Sequence, residues 1–181
     1  MKLLVTGGCG FIGSNFIKHV LGKKEDIKIF NFDLGEKHYA GQGKNLEHMG
    51  FKEGRDYFFI QGDITDRETV EKTLKENFID AIVNFAAESH VDRSIENDAP
   101  FAKANFEGTR VLLNASVKHG IKKFVQIGTD EVYGSSSDSD ENSKETDLLK
   151  PSSSYSASKA AADLLALAFF KTHNLSVCVT R

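Results

Sequence analysis

A doubly wound α/β fold, in which helices cover a parallel sheet on both faces, is predicted by two features of the 181-residue sequence. Six short runs rich in β-branched, aromatic and other apolar residues alternate with segments of helical periodicity, and a glycine cluster sits between the first run and the first helix.

The first run, Lys2-Leu3-Leu4-Val5-Thr6, is apolar without alternation, as expected of a strand buried on both faces. It leads through Gly7, Gly8, Gly10 and Gly13 into a helical pattern over residues 14–21. Residues 27–32 read as the second strand, closed by Asp33. The glycine- and charge-rich stretch 35–55 reads as a loop, 57–61 as the third strand, 66–76 as a helix and 81–85 as the fourth strand. One helix is predicted over 100–119 and a fifth strand over 123–128. The serine- and acid-rich stretch 134–150 carries too little apolar surface to offset ordering, which predicts mobility, with a substrate-gating lid as the alternative. A helix over 155–173 and a strand over 176–180 complete the series, with no internal repeat and no heptad pattern. Parallel strands separated by helices are joined by right-handed crossovers.

With 40% hydrophobic residues the chain is long enough for one sizeable core, and a single domain spanning 1–181 is expected. A net charge of −3 without a Lys/Arg block gives no footprint for nucleic acid or an anionic membrane. The start, Met1 to Val5, briefly imitates a signal peptide, but Thr6-Gly7-Gly8 breaks the apolar run, and no stretch is long enough to span a bilayer. Cys9 and Cys178 offer neither a disulfide framework nor metal-ligand spacing, so no metal is expected and a cytoplasmic location fits. Nothing nearby in sequence lowers the Cys9 pKa, which reads as a small loop residue rather than a reactive thiol.

The segment Thr6-Gly7-Gly8-Cys9-Gly10-Phe11-Ile12-Gly13 contains both Gly7-x-x-Gly10-x-x-Gly13 and Gly8-x-Gly10-x-x-Gly13. Glycines allow the tight turn, the approach of backbone to a pyrophosphate and close helix–strand packing, while the helix N-terminus presents free N–H groups to the anion. Asp33 ends the second strand at the spacing expected of a ribose-binding acid, and its charge would repel a 2′-phosphate. NAD is therefore favoured over NADP, a preference softened by Lys37 and His38 nearby. Asp63 and Ile64, just past the third strand, read either as adenine contacts or, for Asp63, as a cap on the next helix.

Tyr155 and Lys159 are four apart in a helical segment and project from one face, where an ammonium beside the phenol favours the phenolate. Thr129-Asp130-Glu131 closes the fifth strand and places an acid pair where cofactor and substrate would meet. Opposite roles for neighbouring carboxyls require different surroundings, and strand residues alternate in direction, which counts against a shared site unless the backbone leaves the strand there.

Together with Asn84-Phe85-Ala86-Ala87-Glu88-Ser89-His90-Val91-Asp92-Arg93-Ser94-Ile95 and Tyr155-Ser156-Ala157-Ser158-Lys159, these motifs resemble the extended short-chain dehydrogenase/reductase superfamily. Within it the likeness is to the nucleoside-diphosphate-sugar 4,6-dehydratases, most closely the dTDP-glucose 4,6-dehydratase family, over nearly the whole length. The resemblance implies an NAD(P)-binding Rossmann fold with NAD held by Gly7, Gly10, Phe11, Ile12, Gly13, Asp33, Asp63, Ile64, Ala86, Ala87, Ser89, Tyr155 and Lys159. It implies catalysis by Thr129, Asp130, Glu131, Tyr155 and Lys159. Tyr155 would take the proton of the sugar 4-hydroxyl, Lys159 would hold the nicotinamide ribose, and Thr129 would join the proton network. Glu131 would remove the C5 proton while Asp130 donates to the departing 6-hydroxyl. His90 and Arg93 read either as sugar or diphosphate contacts or as structural loop residues, and Asn105 as a group satisfying backbone near the site. A 4-epimerase or decarboxylase of the same superfamily, or a non-catalytic NAD-binding module, are the competing readings.

Departures from the family pattern are the longer Asp33–Gly41 segment, the intervening Gln42-Gly43-Lys44, and Ser154 in place of a proline before the tyrosine. The sequence stops after a strand, which predicts a product truncated before the sugar-nucleotide-binding region. A homodimer is implied through the helices at 100–119 and 155–173, the second of which carries Ala160, Ala161, Leu164, Leu165, Leu167, Ala168 and Phe169, more apolar breadth than one sheet-facing stripe requires.

Overall fold

The computed structural model describes residues 1–23, 26–35, 44–47, 54–134 and 142–181. Six strands form one parallel sheet, β1 (Lys2–Thr6), β2 (Lys28–Asp33), β3 (Tyr57–Gln61), β4 (Ala81–Asn84), β5 (Lys123–Ile127) and β6 (Val177–Thr180), in the order β3-β2-β1-β4-β5-β6. The chain builds outward from β1 to β3 and then returns to the other side of β1. The strand order therefore reverses between β1 and β4, where Thr6 lies opposite Asn84, and a crevice opens at the carboxyl ends of these strands.

The helices are α1 (Phe11–Gly22), α2 (Lys44–Glu47), α3 (Arg67–Asn77), α4 (Val91–Glu96), α5 (Ala99–Phe101), α6 (Thr109–His119) and α7 (Ser154–His173). Their ends follow local chemistry. The Asp66 carboxylate accepts the Glu68 and Thr69 N–H groups to start α3, and Phe78 in the left-handed region ends it. Ser153 and Ser156 form a reciprocal capping box at the start of α7, and Asn174 with φ 54° closes it.

Alternation along the strands divides the core. Leu4, Phe30, Phe32, Ile82 and Phe124 face α3, α6 and α7, through Val70, Leu74, Leu112, Leu113, Ala166 and Phe169 among others. Leu3, Val5, Ile29 and Val83 face Ile17 of α1 on the opposite side. That second face is less completely covered: Cys178, opposite Val125 in the ladder, is exposed.

The helix expected over 100–119 is not one helix. Ala102–Gly108 is a seven-residue π-helical segment between α5 and α6, and α4 precedes it in the run after β4 that carried no helical expectation. The first helix starts at Phe11, so Gly13 and Ser14 lie within it, and α2 falls inside the stretch read as loop. The rest of 36–53 and residues 135–141, including Lys37, His38 and the Gln42–Gly43 insertion, lie outside the described residues.

Candidate active site

Three of the glycines in the motif at the start of α1 are required by the protein's own packing. A Cβ on Gly7, where φ is +68°, would lie 2.6 Å from the Ala86 nitrogen; one on Gly8 would lie 2.2 Å from Asn31 Oδ1, and one on Gly13 2.4 Å from the Gly7 oxygen. Gly10 differs. Its added Cβ would meet only the Gly7 oxygen, at 3.3 Å, and otherwise point into a cavity of about 480 Å³. Gly10 is the N-cap of α1, whose first-turn N–H groups lack intrahelical acceptors. The Phe11 and Ile12 side chains beside it are 77% and 63% exposed. A negatively charged pyrophosphate lying on backbone and covering these side chains fits this arrangement.

Asp33 ends β2 in the same cavity with its carboxylate already oriented, Oδ2 accepting the Cys9 N–H at 2.9 Å and Oδ1 the Gly35 N–H at 2.8 Å. Burial, then the Asp33 charge, push the Cys9 thiol up to about 11, so it stays a protonated thiol as its loop position suggested. Asp63 Oδ1 accepts from the Thr65 N–H and hydroxyl, while Asp66 caps α3; the capping alternative for Asp63 is therefore set aside. Asp63, Ile64, Ala86, Ala87 and Ser89 all line the cavity.

Beneath the crevice runs a buried polar chain that the sequence reading missed. Thr6 Oγ1 donates to Asn84 Oδ1 at 2.6 Å and accepts the Ala86 N–H at 3.3 Å; Asn84 Nδ2 donates to Gln126 Oε1 at 2.9 Å and to Thr109 Oγ1 at 3.2 Å. It ties β1, β4 and β5 together at the point of strand reversal and fixes the Ala86 backbone that faces the cavity. Polar residues at or next to the ends of apolar strands, Thr6, Asn84 and Gln126, were the available signal.

Asn105, in the π-helical segment, accepts the Glu88 N–H at 2.8 Å and donates to the Glu88 carbonyl and to Ser158 Oγ at 2.9 and 2.8 Å. It thus satisfies backbone near the site, as expected, and joins the loop after β4 to α7. Glu88, Lys103, Ile127 and Gly128 also line the cavity without having been singled out for it.

Tyr155 and Lys159 share the buried face of α7 and both reach the cavity, at 8% and 4% exposure. The Lys159 ammonium donates to the Ile127 carbonyl. Burial lowers its pKa to about 8, opposed by Asp163. The Tyr155 phenol is hydrogen-bonded to the Thr129 side chain. Its pKa is raised, chiefly by burial, with the carboxylates of Glu131, Asp130 and Asp163 adding to the rise. This is opposite to the expected phenolate: in the protein alone Lys159 is bound to backbone, and desolvation outweighs its charge.

The acid pair does not end a strand. Thr129 accepts the Glu131 N–H at 3.3 Å and caps a 3-10 turn, Asp130–Tyr133, so the strand alternation that counted against a shared site does not apply. Asp130 and Glu131 are exposed beside the phenol and outside the cavity lining, whereas Thr129 connects the turn to Tyr155. His90 caps α4 and Arg93 lies within it, both exposed and neither in the cavity wall.

Fold and site define a Rossmann-type nucleotide-binding domain of the short-chain dehydrogenase/reductase kind. The chain belongs to the GDP-mannose 4,6 dehydratase family, whose model matches residues 4–181. It is similar along its whole length to the low-salt glycan biosynthesis protein Agl12 of Haloferax volcanii, 45% identical, and to a dTDP-glucose 4,6-dehydratase of Streptomyces niveus, 43% identical. It spans 56% and 53% of those two proteins, about half the length of the relatives it matches. The crystal structure of DesIV, the dTDP-glucose 4,6-dehydratase of Streptomyces venezuelae with NAD and TYD bound, superposes with a TM-score of 0.90 at 41% identity, covering 100% of this chain and 55% of that one. A UDP-glucose 4-epimerase from Thermus thermophilus in complex with NAD gives 0.88 at 28% identity, covering 100% and 54%.

Proposed function

We propose that this chain carries the cofactor-binding and reacting part of an NAD-dependent dTDP-glucose 4,6-dehydratase, converting the nucleotide sugar to its 4-keto-6-deoxy form. The observation that carries the reading is a single cavity lined at one end by Gly10 and Asp33 and at the other by Tyr155 and Lys159, with Thr129 linking that phenol to the acid turn. NAD, when bound, supplies the hydride acceptor and donor. Gly10 would leave room for its pyrophosphate over the turn that Gly7 and Gly13 allow, Asp33 would accept from the adenosine ribose, and Asp63 and Ile64 would border the adenine. Ala86, Ala87 and Ser89 would line the wall opposite Phe11 and Ile12, and Lys159 would hold the nicotinamide ribose.

The Tyr155 oxygen would take the proton of the sugar 4-hydroxyl as the phenol passes its own proton to the Thr129 hydroxyl, to which it is hydrogen-bonded. Glu131 removes the proton at C5, made acidic by the 4-ketone, and Asp130 gives a proton to the departing 6-hydroxyl. A 4-epimerase shares the scaffold, so the fold does not separate the two readings; the acid pair does, because epimerisation needs no elimination acid and base. The product suits pathways to 6-deoxyhexoses such as rhamnose, and a homodimer in the cytoplasm completes the proposal. No helix among the described residues is long and apolar enough to cross a membrane.

The test is a single turnover with NAD and dTDP-glucose in deuterated water. Glu131→Gln is expected to slow C5 exchange and Asp130→Asn to slow loss of the 6-hydroxyl, each by about 10²–10⁴-fold, while C4 oxidation persists. Unimpaired dehydration in both variants would overturn the roles given to the acids.

A further inference from the structure

Asp163 is a fully buried carboxylate that no step above uses. It lies one turn beyond Lys159 and two beyond Tyr155 on the buried face of α7, at 0% exposure. A carboxylate this deep needs a charged partner, and Arg181, just after β6, supplies one: its Nε donates to Asp163 Oδ2 at 3.0 Å. Arg181 is itself held, with Nη1 donating to the Tyr133 hydroxyl at 3.1 Å and the guanidinium 5.5 Å from that ring. The second carboxylate oxygen, Oδ1, has no hydrogen-bond partner among the described residues.

Gly128, in the cavity wall, lies against this carboxylate. A Cβ on Gly128 would lie 2.5 Å from the Thr180 carbonyl oxygen, 2.8 Å from Asp163 Oδ2 and 3.2 Å from Oδ1, so glycine lets the strand end pack against both β6 and the carboxylate. Gly128 and Ile127 line the cavity, and the Ile127 carbonyl receives the Lys159 ammonium. The layers from the cavity inward are therefore ammonium, strand end and carboxylate, with the guanidinium behind.

We propose that Asp163 is a positioning residue that keeps the Lys159 ammonium charged and seated on the Ile127 carbonyl, and is itself held for that task by Arg181. The proposal rests on the reading of Lys159 as a cofactor-site residue. Glu88 and Lys103 line the same cavity as Lys159 from the loop after β4 and from the π-helical segment. Tyr155 precedes Lys159 on α7, Asp163 follows it, Arg181 and Tyr133 stand behind Asp163, and Asp130 and Glu131 in the 3-10 turn act on Tyr155. Of these, Asp163 is the charge that opposes the desolvation of Lys159; burial holds the Asp163 carboxyl above the ordinary aspartate range, and the Arg181 hydrogen bond and the Lys159 charge both oppose that rise. A free oxygen turned from Arg181 fits a carboxylate whose field serves a second cation.

The contrasting account is that Asp163 and Arg181 only staple α7 to β6. The two accounts predict opposite signs. Carbon-13 NMR of the lysine ε-carbons, with the Lys159 signal assigned by its loss in Lys159→Arg, gives the midpoint in the chain without cofactor. Asp163→Asn is expected to move that midpoint down by about one pH unit or more, because desolvation is then unopposed. If the pair is only a staple, its loss loosens the packing, water reaches Lys159, and the midpoint rises or stays; either result overturns the proposal. A second measurement needs no variant: the Asp163 carboxyl carbon should show a step at the Lys159 midpoint, and its absence would also overturn the proposal. NAD titration of the unmodified chain tests the cofactor reading separately, since failure to bind would remove that reading and leave the lysine result standing.

Discussion

Gly10 and Gly13 are both glycines of one motif, yet they are needed for different reasons, and the difference can be measured. A side chain at Gly13 drives into the Gly7 carbonyl at 2.4 Å, whereas at Gly10 it enters the cavity. Gly10→Val is expected to leave the far-UV spectrum and melting temperature near those of the parent while abolishing NAD binding by calorimetry; Gly13→Val should lose the fold itself. Retained affinity in Gly10→Val would show that the pyrophosphate lies elsewhere. Lys159 gives a second residue-scale expectation. Its pKa falls from 10.5 to about 8 on folding, so below about 8 both states carry the proton and the folded state bears the cost of a buried charge. As pH rises toward 10.5 the folded lysine is neutral first, and that cost disappears. Lys159→Met should therefore raise stability at pH 7 by roughly 2 kcal/mol, with the gain shrinking above about pH 8 in urea melts. A gain that does not vary with pH would mean that Lys159 is charged throughout or hydrated.

At the scale of elements, the strands were legible because burial on both faces leaves runs such as Lys2–Thr6 and Ala81–Asn84 almost wholly apolar. The segment after Ala99 was legible as helical but not as interrupted. The π-helical turn places Asn105 where it can bond both backbone groups of Glu88 and the Ser158 hydroxyl, contacts some 17 and 53 residues away in sequence that no local pattern reports. The Thr129–Glu131 turn escapes a sequence reading for a related reason: its capping bonds run within three residues and leave no periodicity. The motifs marking the cofactor loop were readable because glycine requirements are local; the Thr6–Asn84–Gln126 chain and the Asp163–Arg181 pair were not, because the first appears only when distant strands meet and the second only when α7 packs beside the end of β6. Asn105→Ala would remove the hydrogen bonds to the Glu88 N–H, the Glu88 carbonyl and Ser158 Oγ, at a cost of about 1–3 kcal/mol in denaturant melts, and should weaken NAD binding by loosening the loop that carries Ala86, Ala87 and Ser89. Undiminished stability would show that water replaces the side chain without loss.

At the scale of the molecule, the helical side opposite the sheet is where assembly is expected. The α7 residues Leu164, Leu167 and Phe170 are 56%, 40% and 47% exposed, while their neighbours Ala166 and Phe169 belong to the core. Phe106 and Val117, from the π-helical segment and α6, are 36% and 39% exposed. The spacing Leu164, Leu167, Ala168 forms a stripe on the side of α7 turned from the sheet, so the apolar breadth read from the sequence divides into one face for the core and one left exposed. A second copy of the chain can bury it by presenting the same stripe, since a twofold interface is self-complementary. Light scattering of the purified chain is expected to give twice the monomer mass. Leu164→Glu with Leu167→Glu should give a monomer, because two carboxylates per subunit would be desolvated without partners. NAD affinity should survive, because neither residue lines the cavity. A monomeric parent would remove the proposed dimer, and a dimeric double variant would move its interface away from α7.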